Sequence, residues 1–126
     1  MSSTDQFNLN GLKVDQHGNV IPDPITDPGA GGAIPVTRSG TCELASTGAE
    51  TRTLAAPTFL GQRITLAFKS DGGNITVTCA TGLNQAGNNT AVCADAGDIL
   101  VVEAIGTALT FAWRVVANDG FTLSTV

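Results

Sequence analysis

Residues 63–79 read RITLAFKSDGGNITVTC, and this stretch decides the fold class. Apolar side chains occupy every second position on either side of a central polar segment: Ile64, Leu66, Phe68, Ile75, Val77 and Cys79. Alternation with a period of two is typical of β-strands that have one buried face. Because Ser70–Gly73 contains residues that favour tight turns, the stretch predicts two antiparallel strands joined in a hairpin.

Similar short strands are indicated on both sides of this stretch. They are predicted at 90–94, 98–104, 109–115 and 121–123, with weaker ones at 51–55 and within 37–48. The segment at 98–104 is apolar on both faces, which places it at the centre of a sheet or at a contact between subunits. Residues 36–126 are therefore predicted to form an all-β domain, a small sandwich or barrel-like fold of six to eight short antiparallel strands.

Residues 1–35 have a different composition and hold four of the five prolines. Proline lacks a backbone donor and pushes the preceding residue into an extended conformation. Gly29–Gly32 then supplies a flexible joint. The sequence thus predicts an extended N-terminal arm over 1–35, ahead of a compact β domain over 36–126. Two short apolar runs in the arm indicate a small hairpin at 12–21, and a disordered leader is the alternative.

The charge composition limits the classes of partner. Charged residues make up 13% of the chain, against about 25% in a typical soluble domain. The formal net charge of −5 argues against a nucleic-acid partner, and no apolar run is long enough for a transmembrane helix, so no membrane partner is expected. A small domain cannot hide so many uncharged residues in its own core. We therefore expect an obligate oligomer or a component of a larger assembly.

The residues that catalysis or metal binding would need are scarce. The one histidine, His17, lies in the arm, which gives poor support to a Ser-His-Asp or Cys-His arrangement. Asp95 and Asp98 are explained more simply as turn residues than as the facing carboxylates of a glycosidase. No CxxC spacing accompanies the one histidine, so a zinc site lacks ligands. We expect no enzyme activity, no catalytic residue, no cofactor and no bound metal.

The cysteines and the tryptophan are expected in the core. An odd number of cysteines without a secretion signal argues against a disulfide framework, so Cys42, Cys79 and Cys93 are predicted to be buried free thiols. A link between Cys79 and Cys93 across neighbouring strands is the alternative. Trp113 shares its face with other apolar residues of its strand and is interpreted as a core residue rather than a sugar-stacking platform.

Several short motifs follow one another in residues 51–126. They are Arg52–Pro57, Gly61–Leu66, Asn74–Cys79, Asp95–Asp98, Trp113–Val116 and Asn118–Gly120. In this order and spacing they resemble the small all-β domains of bacteriophage virion proteins, namely capsid decoration (cement) proteins and head-fibre domains. The arm segments Leu9–Asp15 and Gly18–Val20 are also similar to short hairpins in phage structural proteins.

The resemblance implies a structural role in the virion. A decoration protein would be a homotrimer that is assembled in the host cytoplasm, binds the outer surface of the capsid, bridges subunits of the major capsid protein and stabilises the shell. The arm would add a strand to a neighbouring sheet edge. Its apolar anchors would be Leu9, Leu12, Val14, Val20, Ile21 and Ile25.

A second interpretation within the same resemblance is a receptor- or glycan-binding domain of a head fibre or tail fibre. Such a domain would bind through exposed loops. The polar loop at 82–89 offers the candidate contacts Asn84, Gln85, Asn88 and Asn89.

Overall fold

The computed structural model describes residues 7–9, 12–14, 16–18, 20–106 and 110–126, with side chains described at 16–18 and from residue 23 onward. These residues form twelve strands: β1 (Phe7–Leu9), β2 (Leu12–Val14), β3 (Val20–Pro22), β4 (Gly32–Ile34), β5 (Gly40–Ala45), β6 (Glu50–Leu54), β7 (Arg63–Ser70), β8 (Ile75–Thr78), β9 (Thr90–Cys93), β10 (Ile99–Gly106), β11 (Phe111–Asp119) and β12 (Thr122–Ser124). Within these ranges no segment is helical, and no helix that could cross a membrane occurs.

Nine strands form two facing sheets, and β1–β3 form a separate sheet. The first sheet has the order β11-β10-β7-β5 and the second the order β12-β9-β8-β6-β4. The predicted all-β class is confirmed. The strand arrangement differs from the expected antiparallel one, because β5 pairs with β7 in parallel and β6 pairs in parallel with both β4 and β8. Both large sheets are therefore mixed.

The predicted hairpin over residues 63–79 is wrong. Its two strands exist, but β7 lies between β5 and β10 while β8 lies between β6 and β9 in the other sheet. The turn at 71–74 is therefore a β-arch, a turn whose flanking strands belong to different sheets. Alternating apolar residues predict a strand and its buried face, but they carry no information on which sheet receives the next strand.

Five such arches lie along one edge of the sandwich, which we call the arch edge. They are the connections 26–31, 46–49, 71–74, 94–98 and 120–121. Ser46 Oγ of the second arch donates to Gly73 O of the third at 2.6 Å, and Gly97 N of the fourth arch donates at 2.7 Å to Phe68 O of β7, the strand that leads into the third arch. The first three arches run from the four-stranded to the five-stranded sheet, so their strands pair in parallel. The fourth arch runs in the opposite direction, and its strands pair antiparallel with the third.

The body begins before the composition boundary at residue 36. Ile25 forms a parallel bridge with Cys42 and is 3% exposed, and β4 extends the five-stranded sheet. Residues 23–35 therefore form the first arch and its flanks. Prolines suit this segment because Pro24, Pro28 and Pro35 lie outside the paired strands, so their missing donors cost no ladder hydrogen bond.

The core lies between the two large sheets. Trp113 is fully buried, and its Nε1 donates a 2.7 Å hydrogen bond to Ala55 O, which confirms its predicted place. The three cysteines are buried and free, as predicted. The alternative Cys79–Cys93 disulfide is wrong because Cys93 pairs with Ile75, four residues from Cys79. That separation is about 13 Å along the strand, too far for a disulfide.

Glycine at position 72 is predicted to be essential for stacking the second and third arches. A Cβ atom on Gly72 would collide with Ser46 O and would lie 2.7 Å from Thr47 Cα, both backbone atoms. Replacement of Gly72 by alanine should therefore lower the free energy of unfolding by about 2–3 kcal/mol, measured by urea denaturation. Gly48→Ala is the matched control, since no atom lies within 4 Å of its Cβ position. Equal effects of the two substitutions would contradict the stacking.

Candidate functional site

One buried cation joins the first two arches. Arg52 lies on the inward face of β6 and is 0% exposed. Its Nε donates to Asp27 Oδ1 at 2.8 Å, its Nη2 lies 3.0 Å from Glu50 Oε1, and the same nitrogen donates to Ala45 O at 3.0 Å. Asp27 in turn accepts hydrogen bonds from the backbone of Gly29 and Ala45. The cluster ties the proline-rich segment to the body.

The cluster shifts the pKa values of its members. Partial burial would raise the pKa of Asp27, but the hydrogen bonds from Arg52, Ala45 and Gly29 outweigh it and lower that pKa. The pKa of Glu50 is lowered chiefly by the hydrogen bond from the Thr47 backbone. The hydrogen bond to Asp27 raises the pKa of Arg52, which stays charged. The cluster is thus a permanent ion pair at neutral pH with a structural role.

Asp98, one of the two carboxylates weighed for catalysis, serves the fourth arch, and Asp71 serves the third. Asp98 Oδ2 accepts hydrogen bonds from the backbone of Ala94 at 2.9 Å and of Asp95 at 3.1 Å. Asp71 Oδ1 accepts from Gly73 N at 3.0 Å. These are the local bonds by which aspartate stabilises turns. Within the part of the chain that the structure describes, no group of three or more His, Cys, Asp or Glu residues could hold a metal ion.

The outer side of the five-stranded sheet carries aligned hydroxyl and methyl groups. We call it the threonine face, and its two rows across the strands are Ser124-Thr90-Thr78-Thr53 and Thr122-Val92-Thr76-Thr51. Neighbouring strands lie about 4.8 Å apart, so each row is a regular ladder. The five strands of this sheet, all within the described ranges, contain only two charged residues, Glu50 and Arg52, and both belong to the ion cluster. The face is polar but uncharged.

Two shallow grooves flank Thr78 on the threonine face. One, of about 210 Å³, is lined by Thr53–Ala56 together with Thr78, Ala80 and Thr81. The other, of about 350 Å³, is bounded by Thr76, Asn89 and Val126 among others. Neither groove is lined by a charged or aromatic side chain. Such grooves suit small uncharged side chains of a protein partner better than a sugar ring or an anion.

The predicted arm anchors fall into two groups. Leu9, Leu12, Val14, Val20 and Ile21 belong to strands β1–β3, whose backbones pair antiparallel, but their side chains lie outside the described residues. Ile25 is placed differently, since its side chain lies in the core of its own chain. A surface contact through Ile25 would require the first arch to leave the body.

The candidate loop contacts are largely used within the chain. Asn84 Nδ2 donates to Asn88 Oδ1 at 2.8 Å, and Asn88 Nδ2 donates to Thr125 Oγ1 at 3.0 Å. Asn89 exchanges hydrogen bonds with the backbone of Val126. These amides hold the loop closed and fix the last residues against it. Gln85 is exposed at the tip of the loop.

The threonine face escaped the sequence analysis although a signal for it was present. Thr51-Arg52-Thr53 and Thr76-Val77-Thr78 each repeat threonine after two residues, the spacing that puts both side chains on one face of a strand. The sequence does not show that these strands are neighbours, because β7 and a long connection separate β6 from β8 along the chain.

No protein-family model matches the chain, and no curated protein matches it.

Removal of the Asp27 carboxylate is predicted to destabilise the fold. Asp27→Asn leaves the buried Arg52 charge with a weaker partner, and loss of one member of a buried pair is costly. We expect the free energy of unfolding to fall by about 3 kcal/mol in urea denaturation at neutral pH. Asp95→Asn, an exposed carboxylate on the same edge, should change it by less than about 0.5 kcal/mol. Similar losses in both variants would contradict the role of the cluster.

The same cluster predicts sensitivity to acid. The Asp27 pKa is lower in the folded chain than its ordinary value of 3.8, so its stabilisation is fully present above that value. It is lost as the pH falls below 3.8 through the lower folded pKa, with Glu50 acting in the same direction. Urea midpoints measured over this pH range should fall less steeply for Asp27→Asn than for the natural chain. Parallel pH curves would contradict the prediction.

The thiols are predicted to be unreactive in the folded chain. Burial raises the pKa of Cys42 and of Cys93 to about 11, so little thiolate is present at pH 8. A thiol reagent should label fewer than one site per native chain during an assay in which the denatured chain gives three. Rapid labelling of the native chain would show that the first arch or the fourth arch opens.

Proposed function

We propose that this chain is a bacteriophage capsid decoration protein, which binds the outer surface of the head as a homotrimer and stabilises the shell by bridging major capsid subunits. The observation that carries the proposal is the uncharged threonine face, a broad side of the sandwich with no charged side chain directed outward in its five described strands. Depletion of charge is the compositional mark of protein interfaces. A fold built from stacked arches supplies a rigid body for such contacts.

The N-terminal sheet supports a second contact with the capsid. Strands β1, β2 and β3 form a sheet of their own, with Leu12 opposite Pro22 and Phe7 opposite Val14. Small sheets of three-residue strands are marginal alone and gain stability by adding to another sheet. Strand addition supplies backbone hydrogen bonds with little demand on sequence, and repeated copies on a shell add avidity.

The glycan-binding alternative receives less support from the geometry. Its candidate amides on Asn84, Asn88 and Asn89 already hold the loop and the last residues of the chain. The large apolar side chains Phe59, Leu60 and Phe111, which are exposed, lie outside this loop. A glycan site usually needs several convergent polar groups beside an apolar platform.

The proposal is tested by imaging purified phage particles assembled with and without the full chain. We expect the chain to form protrusions on the outer surface of the head. Heads that lack it should release their DNA at a lower temperature in a thermal release assay, because fewer contacts join the capsid subunits. Density for the chain on the tail, or its absence from the particles, would overturn the proposal.

A truncation tests whether the N-terminal sheet contacts the capsid while the fold of the body is kept. Deletion of residues 1–22 removes β1–β3 but keeps the first arch and the Asp27–Arg52 pair. Copies per head, measured by quantitative gel analysis at limiting concentration, should fall about tenfold while the melting temperature of the body stays unchanged. Full occupancy by the truncated chain would show that the N-terminal sheet does not contact the capsid.

A further inference from the structure

The outer side of β10 forms an apolar ridge. Alternate residues of this strand, Leu100, Val102 and Ala104, are buried in the core. The outward positions between them are Ile99, Val101, Glu103 and Ile105, all only partly covered. A sheet face in contact with water normally carries polar side chains in these positions. Three aliphatic side chains on a central strand therefore indicate that another surface covers this face.

Small residues flank the ridge on the β11 side. Ile105 pairs with Ala112 and Val101 pairs with Ala117, so each large side chain of β10 has a small neighbour in its row. The row between them pairs Glu103 with Arg114. The outer face thus carries large aliphatic side chains along β10, which we call the ridge, and the small residues Ala112 and Ala117 along β11, which we call the groove. Glu103 lies on the ridge and Arg114 lies between the two alanines.

The β7 side of the ridge is already occupied by contacts within the chain. Arg63 on β7 donates two hydrogen bonds to the single oxygen Glu103 Oε1, from Nη2 at 2.7 Å and from Nε at 3.1 Å. The β11 side instead continues into exposed apolar surface. Val116, where the pairing of β10 with β11 is irregular, is 47% exposed. The groove along β11 is therefore the side that a partner would cover.

We infer that the outer face of β10 and β11 is the surface through which copies of this chain associate, with the β10 ridge of one copy lying in the β11 groove of the next. In this arrangement Val101 of one copy meets Ala117 of its neighbour, and Ile105 meets Ala112. Glu103 meets Arg114, so the rows match in both size and charge. The occupant is a second copy because the ridge and the groove that fit each other lie on the same face.

The inference rests on one part of the proposed function, the association of copies of this chain. It does not depend on binding to the capsid. A ridge-to-groove contact joins two different parts of the same face, so it can repeat from one copy to the next. The repeated contact closes into a ring when the rotation that relates neighbouring copies divides a full turn evenly. The proposed homotrimer is a ring of three copies, each of which gives its ridge to one neighbour and its groove to the other.

The test is the mass of the full chain in solution, measured by sedimentation over a range of concentrations without any phage particle. Two variants address the face directly. Val101→Lys puts a charge on the ridge. Arg114→Glu places a carboxylate in the groove, where it would face Glu103 of the neighbouring copy. Both should raise the dissociation constant at least about tenfold. Ala86→Lys, at an exposed position of the polar loop at 82–89, is the matched control and should leave self-association unchanged.

We expect a mass of three chains of 12.8 kDa for the natural chain and for Ala86→Lys, and a shift toward one chain for the other two variants. Unfolding curves recorded on the monomeric fraction show that the variants keep the fold. A natural chain that stays monomeric at high micromolar concentration, or variants that associate as the natural chain does, would overturn the inference. An oligomer that fails to bind phage heads would overturn the capsid role alone.

Discussion

The buried guanidinium of Arg52 is the interaction on which the rest of the structure depends. A cation with no exposed surface needs anionic partners, and they come from two separate segments: Asp27 lies in the first arch, and Glu50 begins β6 directly after the second arch. Leaving such a charge uncompensated is costly, so the proline-rich segment is held against the body. Ile25 and β4 can then close the edge of both sheets, and the sandwich gains its first arch.

The stacked arches also decide where the charges of this acidic chain lie. Arches are short turns, and aspartate is favoured there because its carboxylate accepts hydrogen bonds from nearby backbone amides. Asp71, Asp95, Asp98 and Asp119 all lie on or beside the arch edge, next to the Arg52 cluster. Much of the acidic charge is gathered on this narrow edge. The outer side of the five-stranded sheet is left with threonine, serine and aliphatic residues, whereas that of the four-stranded sheet keeps Arg63, Glu103 and Arg114.

Strands and core could be predicted from the sequence, whereas the pairing of strands could not. The alternation in residues 63–79 correctly indicates β7 and β8 and their buried side chains. It cannot distinguish a hairpin from an arch, because that choice depends on the approach of Gly72 to Ser46, 26 residues away. Arg52 and Leu54 share one face of β6, a pattern that indicates a buried arginine. Its partner Asp27 lies 25 residues away, in a segment whose prolines suggest a free arm.

The sheet edges show which mode of association remains open to this fold. At the β4 end the strand has only three residues and is followed directly by Pro35, which has no backbone donor and discourages strand addition. At the β12 end the strand has three residues, and the chain beyond it is tied to Asn89. The long edge strand β11 has an irregular pairing at Val116, and a bulge of this kind twists an edge away from straight pairing. At the fourth edge, Ile25 of the same chain forms a bridge with Cys42 of β5, so edge-to-edge addition of another copy is opposed at all four edges. Contact through a broad face is the mode that these edges leave open, and the ridge of β10 is the part of the four-stranded sheet that favours it.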